Sequence, residues 1–229
     1  MNLFWKALAA TCVCTIATTA NASLMLVPAG SAPDGASNLF NAVGTKNQGN
    51  QKARLEASGQ STVQGGNPAN GWWNDVTRSW ELVWDNDSGE VTFNVYASDD
   101  YTGAPAMTMT RTPVFNAGEE LLTLDIGARL VNDSQFITIS GVEFDNGGGF
   151  VAVPSADAVY SGNGFFTNFH TLSGPLGDFT LRGKTLMEGP NTTSDNHRFF
   201  VRGLQAVPSP GAAVLLAGAG LVGLRRRRA

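Results

Sequence analysis

Cysteine is nearly absent. Cys12 and Cys14 are the only two, both fall within the first 22 residues, and the rest of the chain has none. The body therefore has neither disulfide staples nor a cysteine nucleophile, and must be stable through its own core. Histidine is as scarce: His170 and His197 stand far apart without H-x-H or H-E-x-x-H spacing, which gives a zinc centre little to work with. Each reads as a satisfied or surface side chain. No G-x-S-x-G elbow and no P-loop occur. A full-length membrane span is missing too, because the apolar run over 212–224 rises only about 20 Å as a helix against a hydrocarbon core of ~30 Å. Positive charge is short where it would count. Of fifteen Lys and Arg against nineteen Asp and Glu, Lys6 and the four terminal arginines lie at the ends, so the body carries minus nine. Nucleic acid and anionic lipid make poor partners for it.

The two ends are the most legible parts. Residues 1–22 read as a secretory signal: Lys6 supplies the positive n-region, 7–16 the apolar helix, and Ala20-Asn21-Ala22 an A-x-A site with cleavage before Ser23. A lipobox at Cys12 or Cys14 is the other reading, but Ala10, Thr11 and Val13 do not form its small-residue run. The C-terminus orders Val207-Pro208-Ser209-Pro210-Gly211, a short apolar helix over 212–224, and Arg225-Arg226-Arg227-Arg228. Two prolines within three residues break the helix there. The arginines stay cytoplasmic under the positive-inside rule, which leaves everything before them outside. A buried core helix with a basic cap is the competing reading.

That order of proline motif, short apolar helix and arginine cluster resembles the PEP-CTERM sorting signal, with Ser209 where the signal usually carries glutamate. The resemblance covers 207–229. It implies recognition by an exosortase, a membrane-embedded enzyme that cuts near Pro208 and Pro210 and passes the body to the cell surface, with transient residence in the inner membrane. Bodies carried by such tails include choice-of-anchor β domains, which this one is similar to in length and strand richness.

The body, 23–206, is rich in Gly, Thr, Asn, Ser, Phe and Val and poor in Lys and Leu, a β-sheet composition. Trp80, Leu82 and Trp84 alternate with Glu81 and Val83, and beyond Asp85-Asn86-Asp87-Ser88-Gly89 the residues Val91, Phe93 and Val95 alternate with Thr92 and Asn94. This is a hairpin with an apolar inner face. Leu122, Leu124, Ile126, Ala128 and Leu130 make the most regular alternation, and 136–144 returns with a parity change that predicts a bulge near Gly141. Shorter strands are expected over 24–27, 53–63, 107–111, 149–153, 164–169, 178–182 and 198–205. Roughly eight to ten strands at this spacing imply an all-β fold, a β-sandwich of jelly-roll-like type, flanked by the signal helix and a short C-terminal transmembrane helix.

The middle offers several candidates for chemistry. Trp72 and Trp73 lie in a Gly/Asn-rich loop, where exposed indoles would stack on sugar rings; in the other reading Trp73 plugs one end of the sandwich and Trp72 is partly exposed. Tyr101 and Phe165-Phe166 carry the same ambiguity. Asp85 and Asp87 before Gly89 have the alternating oxygens of a calcium loop, but a plain turn explains them too. Glu119-Glu120 and Glu143 with Asp145 are formally available as paired carboxylates, although neighbouring strand residues face opposite sides. The expected function is a non-enzymatic surface or extracellular-matrix protein without a cofactor, exported through the inner membrane. The alternative is a carbohydrate-binding module or carbohydrate-active enzyme acting on extracellular polysaccharide.

Overall fold

The computed structural model describes residues 24–46, 52–65, 72–191 and 197–207. The signal expected over 1–22, with Ala20 and Ala22, and the tail from Pro208 through Ser209, Pro210 and Gly211 to Arg225–Arg228 lie outside the described residues. Among those described, no helix is long and apolar enough to cross a membrane.

The strands are β1 (Met25–Ala29), β2 (Ser37–Thr45), β3 (Lys52–Ala57), β4 (Gln60–Gly65), β5 (Arg78–Asp85), β6 (Glu90–Val95), β7 (Met107–Arg111), β8 (Glu120–Leu130), β9 (Phe136–Asp145), β10 (Val151–Ala152), β11 (Ala158–Ser161), β12 (Gly164–Phe166), β13 (Phe169–Ser173), β14 (Phe179–Glu188) and β15 (Arg198–Ala206). They form two antiparallel sheets, a β-sandwich. The first runs β1-β13-β8-β15-β2-β3-β4 with β12 also on β8, and the second β10-β9-β14-β5-β6-β7 with β11 also on β9. Among the described residues fifteen strands replace the eight to ten expected: β2 is not among those expected, its Ser, Asn and Gly hiding the alternation, and the others arise in two ways. The stretch 53–63 folds back on itself at Ser58–Gly59, where Gly59 takes a positive φ of 70° that favours glycine. Two outer strands are also broken in mid-course: β10 and β11 share β9 across a 3-10 turn at Pro154–Ala156, and β12 and β13 share β8.

Period-two patterning accounts for most of the burial. Trp80, Leu82, Trp84, Val91, Phe93 and Val95 point into the core as the alternation predicts. The bulge near Gly141 is present. Arg182 faces Glu143 and Lys184 faces Ser140, so β9 spends one residue more than β14, and Gly141 takes φ 59°. One register differs from the expectation. On β8 the core residue is Leu121, with Leu122 only half-buried, because the ladder shifts between Thr123↔Leu204 and Leu121↔Gln205. A second bulge therefore sits where the alternation looked most regular.

The core is organised as two aromatic groups. Phe199 meets Trp73, Trp80 and Phe93 at ring distances of 5.5, 5.9 and 6.4 Å; Trp84 meets Phe40, Phe115 and Phe179 at 6.2, 6.1 and 6.5 Å. Each such burial is worth about 2–3 kcal/mol, so these rings dominate the folding energy. At one side the sheets meet where Arg111 Nε donates to Ser61 O at 2.9 Å and Gln60 Nε2 to Thr112 O at 2.7 Å. At the other side β1 and β10 leave an apolar cleft of about 490 Å³ lined by Leu24, Leu26, Phe144 and Val153, with Ser155 at its rim.

Strand direction gives the sandwich two distinct ends. The chain enters beside Met25 and leaves beside Ala206, which pairs with Glu120, so both lie at the end that carries the Asp85–Gly89 turn; this is the exit end. At the far end the sheets are tied by Lys46, at the close of β2, whose Nζ donates to Met187 O on β14 at 2.9 Å.

Candidate functional site

The paired tryptophans belong to the far end and do not offer two exposed indoles. Trp73 is fully buried, edge-on to Phe199, and plugs the sandwich. Trp72 is half-buried, with the Arg78 guanidinium 4.4 Å above its ring and Arg78 Nε donating to its carbonyl at 3.0 Å. Arg78 Nη1 also donates to Ala97 O, which holds the cation in place over the indole. Trp72 and Trp73 sit in a turn that sends one ring into the core and leaves the other partly exposed, which is the second of the two readings above.

Beside this plug sit an ammonium and an imidazole. Lys46 is 1 % exposed and donates to Met187 O and, at 3.2 Å, to Asp75 Oδ1, whose residue adopts φ 52°. His197 is buried next to it. Burial, and then the Lys46 charge, push its imidazole down to about 4, so it is neutral at physiological pH. His170 lies elsewhere, on β13, likewise lowered by burial. Its Nε2 is 3.2 Å from Ser155 Oγ and its Nδ1 3.2 Å from Asn168 O. Both histidines are thus interior groups, and no three of His, Cys, Asp and Glu converge on a metal-sized site among the described residues.

The carboxylates at the exit end serve backbone amides. Asp85 Oδ1 accepts from Asp87 N at 2.9 Å and Ser88 N at 3.0 Å, and the Ser88 amide holds its carboxyl below the usual range. Asp145 Oδ1 accepts from Gly147 N and Gly149 N at 2.8 Å each; Asp178 Oδ1 accepts from Asn86 N at 2.8 Å. Three acids thus line one shallow recess of about 350 Å³ while closing turns, the plain-turn reading of Asp85 and Asp87. Glu119 accepts from Asn116 Nδ2 at 2.8 Å and from Ser37 Oγ, and Glu143 is ion-paired with Arg182 at 2.7 Å. Glu143 and Asp145 share the outer face of β9, but the first is held by Arg182 and the second by two glycine amides.

Tyr101 belongs to a packed cover on the outer face of the seven-stranded sheet. One cross-strand row runs Glu143, Arg182, Glu81, Asn94, Thr108; Asn94 Nδ2 donates to Glu81 at 3.3 Å and Thr108 Oγ1 to Asn94 Oδ1 at 2.8 Å. The Arg182 guanidinium lies 3.4 Å from the Phe150 ring centre and 4.5 Å from that of Tyr101. The 97–106 loop is pinned by this stack, and burial pushes the Tyr101 phenol up. Its ring faces are thereby occupied.

Phe165 and Phe166 part company. Phe166 turns inward onto Tyr160 at 5.4 Å, whereas Phe165 remains 51 % exposed and stacks on Phe200 at 5.1 Å with an interplanar angle of 15°. It is the most exposed aromatic among the sequence candidates. Phe200, Arg202 and Arg129 around it were missed, although Arg198, Phe200 and Arg202 share a parity opposite to core-facing Phe199 and Val201. That parity was the available signal. The chain matches no known family model and no curated protein.

Proposed function

We propose that this chain is an exported, non-enzymatic cell-surface or extracellular-matrix protein, associated with extracellular polysaccharide, whose tail is recognised and cut by an exosortase after transient residence in the inner membrane. The observation that carries this reading is where the sheet stops. β15 is an interior strand, paired to β8 as far as Ala206, while Val207, the first residue of the proline motif, is 64 % exposed. The described ladder thus ends at Ala206, just before the expected cut within 207–211. The lack of a linker supports a segment read for processing rather than a flexible tether.

The strand order supports a finer reading of the sandwich. β2-β15-β8-β12/β13 facing β5-β14-β9-β10/β11 supports two interleaved Greek keys, a jelly roll, with β3-β4 and β6-β7 added at one side and β1 at the other. The test of the function is the intact mass of protein released by the producing cell. The expected species starts at Ser23 and ends between Val207 and Gly211. A released protein that still carries Arg225–Arg228 would falsify the processing.

A further inference from the structure

We propose that the outer face of the eight-stranded sheet, in its far-end half, binds a carboxylated polysaccharide through Arg129, Arg198, Arg202, Arg54 and Lys52, with Phe165 as the stacking surface. This deepens the polysaccharide-associated reading above and rests on it.

The strip is defined by register. Phe165, Arg129, Arg198, Thr45 and Lys52 stand opposite one another in a single row across five strands. The next row on the same face holds Gly127, Phe200, Val43 and Arg54, and the one beyond it Asp125, Arg202, Asn41 and Glu56. At about 4.8 Å between strands and about 7 Å between successive same-face residues, these rows cover a flat strip of roughly 19 by 14 Å. Among the described residues, five of the body's ten basic side chains lie on it, against two carboxylates. Those two are engaged within the strip. Asp125 is buried, accepting from Arg202 Nε at 3.0 Å and Asn168 N at 2.9 Å; Glu56 accepts from Asn41 Nδ2 at 2.8 Å and is ion-paired with Arg54 at 3.1 Å. On a body of charge minus nine, this face is locally positive.

Three features point to a ligand rather than to stability. Arg129 and Arg198 are directly opposite each other on neighbouring strands, where like charges weaken a sheet. Four of the five cations are arginines, whose planar fork suits bidentate pairing with carboxylates. Phe165 is half-exposed, stacked on Phe200, with the Arg202 guanidinium over its ring at 5.1 Å, so its exposed part is a rigid apolar surface beside a cation, suited to the C–H face of an acidic sugar ring. A nucleic acid is the poorer fit. Its affinity grows with the number of phosphates neutralised, which this modest local excess limits, and single strands are held by successive stacked bases, for which one open ring is too few.

The experiment is affinity electrophoresis of the purified protein in gels containing polygalacturonate, neutral dextran or single-stranded DNA, at low and moderate salt. The expected result is retardation by polygalacturonate alone, weakened by salt, and a loss of affinity of about tenfold in both Arg129→Ser and Phe165→Ser. Lys184→Ser, on the other sheet, keeps the wild-type retardation. Circular dichroism and thermal unfolding of each variant separate lost binding from lost fold. Equal retardation by dextran, stronger retardation by DNA, unchanged binding in folded Arg129→Ser, or no retardation at all would each overturn the proposal. None of these outcomes touches the processing of the tail, which stands or falls on the mass of the released protein.

Discussion

Gly203 on β15 lies directly beneath the ring of Phe40 on β2, its cross-strand partner, and a β-carbon at Gly203 would overlap that ring. The absence of a side chain on one strand is what lets the aromatic of the next lie flat into the core. Gly44 stands in the same relation to Phe199. Gly203→Ala should cost about 1–3 kcal/mol by overpacking and lower the midpoint of thermal unfolding by several degrees. Gly177→Ala, where nothing lies within 4 Å and φ is ordinary, should stay within about 0.5 kcal/mol. Equal melting of the two variants would show that the Phe40 ring moves freely.

Trp73→Ala should destabilise the fold by about 3–5 kcal/mol, as truncation of a fully buried aromatic does. Trp72→Ala should cost less, since that ring is already half outside. Denaturant titration of both variants checks the order. A Trp73→Ala protein as stable as the parent would mean the far end is not plugged by this side chain.

His197 makes stability depend on pH, with a definite sign. Its imidazole sits at about 4 when folded against about 6.5 in an unfolded chain, so between these values the unfolded state binds the extra proton. Its full contribution is present above pH 6.5 and is lost as pH falls toward 4, in all about 3 kcal/mol. His170, also lowered by burial, acts in the same direction. Urea unfolding at pH 7.5, 5.5 and 4.5 should therefore show falling stability, with a shallower fall in His197→Asn. An unchanged slope in that variant would contradict the burial of a neutral ring.

Arg182→Lys should keep the charge opposite Glu143 but lose the flat stack between Phe150 and Tyr101. The expected loss is about 1 kcal/mol, with faster proteolysis in the 97–106 loop. Limited digestion followed by mass spectrometry reads the site of first cleavage. Protection equal to the parent would mean the loop is held by other contacts.

Much of the sheet was legible because one face of most strands is buried and the other is not. Trp80 to Trp84, Val91 to Val95 and the bulge at Gly141 all follow from period two. β8 deceived because it is buried on both faces: Thr123 and Asp125 are as covered as Leu124 and Ile126, so its alternation carries no marker for the extra residue at Leu122. The candidate site was harder to see for a different reason. Arg129 and Arg198 are neighbours only through the pairing of β8 with β15, and cross-strand register over such a separation is not written locally. Trp72 and Trp73 drew attention as rare residues in a loop, whereas Arg198, Phe200 and Arg202 looked like the ordinary dressing of a last strand.

Met25 and Ala206 lie at a single end of the sandwich, so the basic strip stands at the end opposite Val207. β8 has eleven residues, about 35 Å of strand, so the far end projects that distance from Ala206. The Debye length at physiological salt is about 8 Å, which places Arg129 and Arg198 several screening lengths beyond any surface to which Val207 leads. If the tail is held at a membrane as proposed, head-group charge is screened out before it reaches the strip.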